Sequence, residues 1–467
     1  MLSEERKGYL KLIARLAWPT ILEQVLATLV SYVDTAMVGR LGKEASAAVG
    51  ATMTLNWMLG GLVMALGVGF LAYIARSMGA GEAEKAHRAA AQAVTSAVSV
   101  GLLLTALVLP LAKYVPGWMR ADESIRKTAG NYFFILYIPM VFRSAALMFS
   151  TILRASGDTR TPMRVNTAMN LLNVVLNYLL IYETRVISPL GVSFTMPGAG
   201  LGVEGAAIAS AISFAVGGIW MTVELYKSPT VSPRGSYRPD AAILKPCFKV
   251  ALPSCLQRLA TSTGYVVFSS MINALGPVST AAHSIANTAE SAFYIPGWGM
   301  QTAASTLIGN AYGEGNNKKL SGLARMLLTL EIIVMTISGL ILFLNARALM
   351  GLFTKDEEVI RLGAKVLKMV AVSEPLYGVA IIIEGVFNGI GDTFHSFIFN
   401  VIGMWGVRIL GTWIFVDQLG YGLAAAWACM IAHNVTLSFM QSTKYLRGRW
   451  RPSGTKQSTS ASNQRLS

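Results

Sequence analysis

Charge is what this sequence has least of. Only 13% of its 467 residues are Asp, Glu, Lys or Arg, against about 25% in a soluble domain. Together with 53% hydrophobic residues and a mean hydropathy of +0.51, that shortage excludes a soluble globular protein and indicates an integral membrane protein. Acids are scarcer than bases, 24 against 39. The resulting charge of +15 does not call for a nucleic-acid partner, because the basic residues fall in loops on one side of the membrane, as polytopic proteins require. Three cysteines, Cys247, Cys255 and Cys429, lie in or beside apolar runs, which excludes a disulfide framework and a metal cluster. Paired acids with histidine, HExxH, a nucleophile elbow and a P-loop are all missing, so neither enzyme chemistry nor a cofactor is expected.

What the chain does have is long apolar runs. At about 20 residues per span, twelve candidates emerge, near 13–38, 46–75, 89–112, 129–152, 162–182 and 203–226, then 246–273, 279–309, 322–345, 362–388, 396–416 and 420–443. The stretch 11–42, too long for a cleaved signal peptide, carries Pro19 early and the acid Asp34 late. An ionised carboxylate in hydrocarbon costs roughly 2.5–3.5 kcal/mol on insertion scales. Asp34 is therefore read as binding a cation or a proton. Pro19 removes a backbone hydrogen bond and is expected to bend the first helix.

With the N-terminus inside, the inner segments hold Arg6, Lys7, Lys11, Arg15, Arg76, Lys85, Arg88, Arg154, Arg160 and Arg164, then a comparable set from Lys227 to Arg325. That is about twice the number in the outer loops, as the positive-inside rule requires. Both termini are expected in the cytoplasm, the membrane being a bacterial plasma (inner) membrane. Residues 445–467 read as a basic, disordered cytoplasmic tail.

The chain repeats itself at an offset of 234 residues. Pro19 falls on Pro253, Val33 on Val267, Met37 on Met271, Leu41-Gly42 on Leu275-Gly276, Asp122-Glu123 on Asp356-Glu357 and Gly157-Asp158-Thr159 on Gly391-Asp392-Thr393. Six spans per repeat, an even number, give both halves the same orientation. The expected fold is an all-α polytopic membrane protein with twelve transmembrane helices in two six-helix lobes related by pseudo-twofold symmetry. The lobes are 1–226 and 246–444, joined by a cytoplasmic linker, 227–245. At this offset Asp34 falls on Phe268, Asn173 on Val407 and Asn177 on Gly411, so the halves match in shape and differ in chemistry.

Several motifs carry a resemblance. Pro19, Val33-Asp34-Thr35 and Gly39-Arg40-Leu41-Gly42, then Met78-Gly79-Ala80-Gly81, LRASGDTRTP (153–162), NVVLNYLLIY (173–182), Leu252-Pro253 and Ile295-Pro296-Gly297 together resemble multidrug and toxic compound extrusion (MATE) transporters. The likeness covers nearly the whole chain, with a NorM-like or DinF-like branch both open. It implies a secondary active efflux antiporter that exports organic cations, drugs or toxic metabolites in exchange for H+ or Na+ by alternating access. It also implies that Asp34 takes part in the coupling site, with Asn173, Asn177 and Ser210 nearby. Some relatives have an aspartate at the Asn177 position, and asparagine here leaves sodium or a single-acid proton site. Span depth allows these four residues to meet in the outer half of the first lobe. Oxygen ligands suit a hard cation such as sodium, and a dehydrated carboxylate also suits a proton. The partners expected are small organic cations or amphiphiles and the lipid bilayer, with the protein a monomer.

The second lobe offers Glu290, Glu331, Glu374 and Glu384; mid-span placement makes Glu290 and Glu384 candidates for a cavity. Where NorM-like relatives have an acid on the tenth helix, the aligned residue is Tyr377. Arg143, Arg258 and Arg408 also lie within spans and are expected to pair with acids such as Glu290 or Glu384, or to snorkel. Glu23 is read as having a structural partner or a gating role, and His433 as a satisfied buried histidine. Trp18, Trp118, Trp413 and Trp450 are read as interface anchors. A lipid-linked sugar flippase of the same superfamily is the alternative. Twelve spans and few central basic groups weigh against it.

Overall fold

A computed structural model describes residues 4–119, 121–187, 194–448 and 450–452. It is helical in all the expected places. The first half contains α1 (Glu4–Gly39), α2 (Lys43–Gly79), α3 (Ala83–Leu111), a short α4 (Val115–Trp118), α5 (Glu123–Tyr137), α6 (Met140–Ala155), α7 (Arg160–Leu180) and α8 (Gly202–Lys227). The second contains α9 (Ala241–Asn273), α10 (Pro277–Gly313), α11 (Asn317–Gly351), α12 (Glu357–Ile390), α13 (Thr393–Val401), α14 (Leu410–Thr412) and α15 (Leu423–Leu446). Among the described residues eight helices, or nine if a bent pair counts as one span, are long and apolar enough to cross a membrane. The other three expected spans are α7, α9 and α10, which carry the asparagines, Gln257, Arg258 and Glu290. Polar side chains, not want of length, set these three apart.

Four local features depart from the simple span pattern. The expected fourth span, 129–152, is two helices, α5 and α6, bent by 56°. Pro139 stands at that break and caps α6, where it cannot supply an N–H to the preceding helix. The eleventh span is π-helical over Ile402–Ile409 and Trp413–Gln418. In the outer connection after α7, Glu183–Ile187 (β1) pairs antiparallel with Phe194–Ala199 (β2), a hairpin added to an otherwise all-helical chain. Pro19 does not interrupt α1, which continues through it; the next residue, Thr20, donates its hydroxyl to the Ala17 carbonyl at 2.8 Å.

The repeat is visible in the backbone. Gly42, Gly81 and Gly157 have φ of 115°, 75° and 90°, and their counterparts 234 residues on, Gly276, Gly315 and Gly391, have 94°, 68° and 80°. Side chains rarely adopt this region, so each pair marks the same turn made twice. Asp122 and Asp356, at the same offset, both cap helices, accepting from Ser124 N and Glu358 N at 2.9 Å.

Two compact units are found. One comprises Leu16–Phe70 and His87–Val266; the other Met1–Arg15, Leu71–Ala86 and Val267–Ser467. In the first, α8 packs against α5, α6 and α7. Gly218 makes this possible, since a side chain there would meet the Phe142 carbonyl oxygen at 2.3 Å. In the second, α12 packs along α10, α11 and α15, and a Cβ on Gly389 would stand 2.4 Å from the Ser305 carbonyl oxygen. Small residues bring helices together where lipid gives little hydrophobic drive.

The connection between α8 and α9 is strapped to α3. Gln92 donates to the carbonyls of Ser236 and Arg238 at 2.9 and 2.8 Å and accepts from Asp240 N at 3.0 Å. Thr95 donates to the Tyr237 carbonyl at 2.8 Å, and Arg88 pairs with Asp240 at 2.7 Å. Most of the expected tail, 453–467, lies outside the described residues. Trp450, expected at an interface, is only 4% exposed and stacks on Tyr445 at 5.1 Å.

Candidate functional site

The polar residues of α7 recur at Asn166, Asn170, Asn173 and Asn177, a spacing that puts them on one face of a helix. Asn173 and Asn177 are buried, at 7% and 2% exposure. Asn177 donates its amide to Asp34 Oδ1 at 2.7 Å. The Asn173 amide is oriented by its hydrogen bonds: its nitrogen donates to Asp34 Oδ2 at 2.8 Å and its oxygen accepts from Ser210 N and Oγ, both at 3.2 Å. The four residues expected from the sequence therefore meet within one unit, drawn from α1, α7 and α8. The half-buried Asp34 carboxylate has both oxygens held by amide donors. Asn177 Oδ1 is buried with no hydrogen-bond partner among the described residues, an uncommon condition for a native side chain. Tyr182 fixes the end of α1 by donating to the Met37 carbonyl at 2.9 Å.

The same helix face extends inward to a second network. Asn166 donates to Glu23 Oε1 at 2.7 Å, and Arg154 pairs with the same oxygen at 2.5 Å. Glu23 thus has structural partners. Asn166 was not singled out from sequence, though its spacing from Asn173 and Asn177 was the available signal.

Arg143 does not pair with an acid as expected. It donates to Asn56 Oδ1 at 2.7 Å, and the same oxygen accepts from the Tyr137 hydroxyl at 3.2 Å. Its guanidinium carbon lies 4.8 Å from the Phe214 ring centre and 5.8 Å from that of Tyr137. Arg258 is exposed.

In the other unit the counterpart of Asp34, Phe268, is buried in an apolar core with Trp427 and Ile272. The Arg408 guanidinium lies 5.2 Å above the Phe268 ring, and His283 stands edge-on to it at 5.8 Å. Arg408 is 3% exposed, so it does not snorkel, and it is within electrostatic reach of Glu290. Glu290, Glu331 and Glu374 are buried, and Glu374 feels both of the others. Among the described residues the oxygens of Glu331 and Glu374 have no hydrogen-bond partner, nor do the ring nitrogens of His433, so the satisfied histidine expected at that position is not found there. Glu384 is half-buried beside Asn400, whose amide donates to it at 3.5 Å. Tyr377 packs edge-on against Tyr294 at 5.7 Å.

Outside the spans, Asp392 follows α12 and accepts from Lys444 and from His395 Nδ1, the latter at 2.6 Å. Burial alone would push its carboxyl up, but these two partners outweigh burial and hold it below the usual carboxylate range.

Comparison with known proteins agrees with this architecture. The MatE family model matches twice, over residues 19–179 and 253–414, and the two matches begin at Pro19 and Pro253. A probable multidrug resistance protein NorM of Thermotoga maritima is 28% identical over 449 residues, covering 96% of this chain and 94% of that protein. A MOP superfamily transporter from Pyrococcus furiosus, described as having a binding pocket of reverse polarity, superposes with a TM-score of 0.85 at 25% identity, over 96% of this chain and 98% of that one. The crystal structure of a MATE in complex with MaD3S gives a TM-score of 0.86 at 24% identity, over 96% and 99%. The two-lobe fold, the twelve helices and the doubled match lead to one conclusion: the chain is an integral membrane protein of the MATE family, whose members are transporters and not enzymes.

Proposed function

We propose that this protein is a secondary active efflux antiporter that exports organic cations, amphiphilic drugs or toxic metabolites in exchange for H+ or Na+ by alternating access. Asp34 is the coupling carboxylate in this reading. The observation that carries it is the polar site of Asp34, Asn173, Asn177 and Ser210 on one side of the repeat, with Phe268 in the corresponding place on the other. A shared framework explains what both halves retain; a polar site in one half alone calls for a function. Asp34 and the Ser210 hydroxyl are oxygen donors of the kind a hard cation uses, and rotation of the two amides would add their oxygens; a carboxylate alone suffices for a proton. Similarity to proteins described as multidrug resistance transporters supports the substrate class. The protein acts as a monomer in a bacterial plasma membrane with both termini in the cytoplasm.

The driving force is adequate. A tenfold ion gradient is worth about 1.4 kcal/mol and 100 mV about 2.3 kcal/mol per charge. In proteoliposomes, Asp34→Asn is expected to abolish ion-driven export of a cationic dye while the protein still folds. Full coupled transport by that variant would refute the assignment. Imposing Na+ and H+ gradients separately, with ionophores, identifies the ion.

A further inference from the structure

We propose that Arg143 recognises an acidic group on the transported molecule, so that the substrates include amphiphilic zwitterions and acids as well as organic cations. This rests on the transport reading above and specifies its substrate class.

Arg143 lies near the middle of its span, too deep to reach an interface by snorkelling. It is 9% exposed. Among the described residues no carboxylate approaches within salt-bridge distance; its hydrogen-bond partner is the Asn56 amide oxygen at 2.7 Å. A guanidinium carries five N–H donors in a fixed fork suited to carboxylate, phosphate or sulfonate, and Asn56 engages one nitrogen, Nη1. Its other terminal nitrogen, Nη2, points toward α2 at Gly60, where a Cβ would stand 3.3 Å away; any side chain larger than glycine would crowd it. The rings of Phe214 and Tyr137 lie against the group at 4.8 and 5.8 Å. Aromatic faces steady a cation without neutralising it.

An ionisable residue within a membrane span that has no partner of opposite charge points to function. The position relative to Asp34 gives it direction. Helix α5 links the two: Tyr132 packs against Met37 and Val38, at the end of α1 that carries Asp34, and Tyr137 shares the Asn56 amide oxygen with Arg143, so a single unit holds an acid and a base yet does not pair them. An amphiphile with a cationic end and an acidic end matches that arrangement, the acid on Arg143.

The test uses two dyes on one skeleton: tetramethylrhodamine, a zwitterion with a free benzoate, and its methyl ester, a monocation. Binding to the full-length purified transporter is followed by fluorescence anisotropy. The wild type is expected to bind the free acid about tenfold more tightly than the ester, the scale of one charge-assisted hydrogen bond net of desolvation. Arg143→Gln should bring the ratio to about one, chiefly by weakening binding of the free acid, and Arg143→Lys should keep part of the preference. Thermal unfolding establishes that both variants are folded. Equal binding of the two dyes by the wild type, or a preference surviving in Arg143→Gln, would overturn this inference alone. Failure of the wild type to bind either dye would overturn the multidrug reading and this inference with it.

Discussion

Arg154 and Glu23 form a buried pair, 14% and 12% exposed at the side chain, with Asn166 donating to the same carboxylate oxygen. Such a pair contributes little net stability once desolvation is counted, yet removing one partner strands the other in low dielectric. Glu23→Ala should therefore destabilise the protein by about 3–5 kcal/mol, seen as a large drop in unfolding temperature in detergent. The double change Glu23→Gln, Arg154→Met should recover most of the loss. A double variant as unstable as the single one would show that the pair stabilises by more than mutual neutralisation. At this scale the sequence was informative for Asp34 and the α7 asparagines, because helical spacing decides which side chains share a face. It was uninformative for Arg143 and Arg408. Whether a buried arginine finds a carboxylate, an amide or an aromatic ring depends on which helices adjoin it, and spacing along one helix does not specify its neighbour.

Among the elements, α12 and α15 are tied at one end through the connection after α12, where Asp392 holds Lys444 and His395. Because Asp392 is held below the usual carboxylate range in the folded protein, its contribution is present above the unfolded value of about 3.9. It is lost as pH falls through the lower, folded value. Unfolding temperatures measured from neutral to acid pH should fall for the wild type, and Asp392→Asn should flatten the acid part of the curve. Parallel curves would show that this tie has no linked proton. The counterpart Asp158 instead accepts from Arg160 N and Thr161 N at 3.1 and 3.0 Å, so one repeated turn serves two uses. Helix positions were legible from apolar runs throughout. The bend at Pro139 and the β1–β2 hairpin were not, since a proline can also sit within one continuous helix, as Pro19 does in α1, and strands of five and six residues are short beside the spans around them.

On the scale of the whole molecule, the 234-residue repeat was readable without a gap because the turns that define it need glycine at positive φ, and few other residues substitute there. The connection joining the repeats looked like a free linker in sequence, with three prolines and four basic residues over 227–245. Its backbone is instead held by Gln92, a residue distant in sequence, through three hydrogen bonds. At about 0.5–1.5 kcal/mol each, their loss in Gln92→Ala should raise the rate of trypsin cleavage at Arg234 or Arg238 by at least about tenfold. Unchanged proteolysis would mean that Thr95 and Arg88 suffice to hold the strap.

Asp34 faces asparagine and serine, while its counterpart Phe268 lies beneath the fixed guanidinium of Arg408. On the proposed reading, one half carries a tethered positive charge where the other has a place for a mobile one. A cycle that loads one cation on Asp34 brings a single charge inward. Exporting a monovalent cation against it would be electroneutral, indifferent to membrane voltage and driven by concentration alone. Exporting a zwitterion of zero net charge on the same cycle would be electrogenic and would draw on about 2.3 kcal/mol per 100 mV. The charge on the cargo, held at one end by Arg143, would then decide whether the cell's voltage contributes to its export.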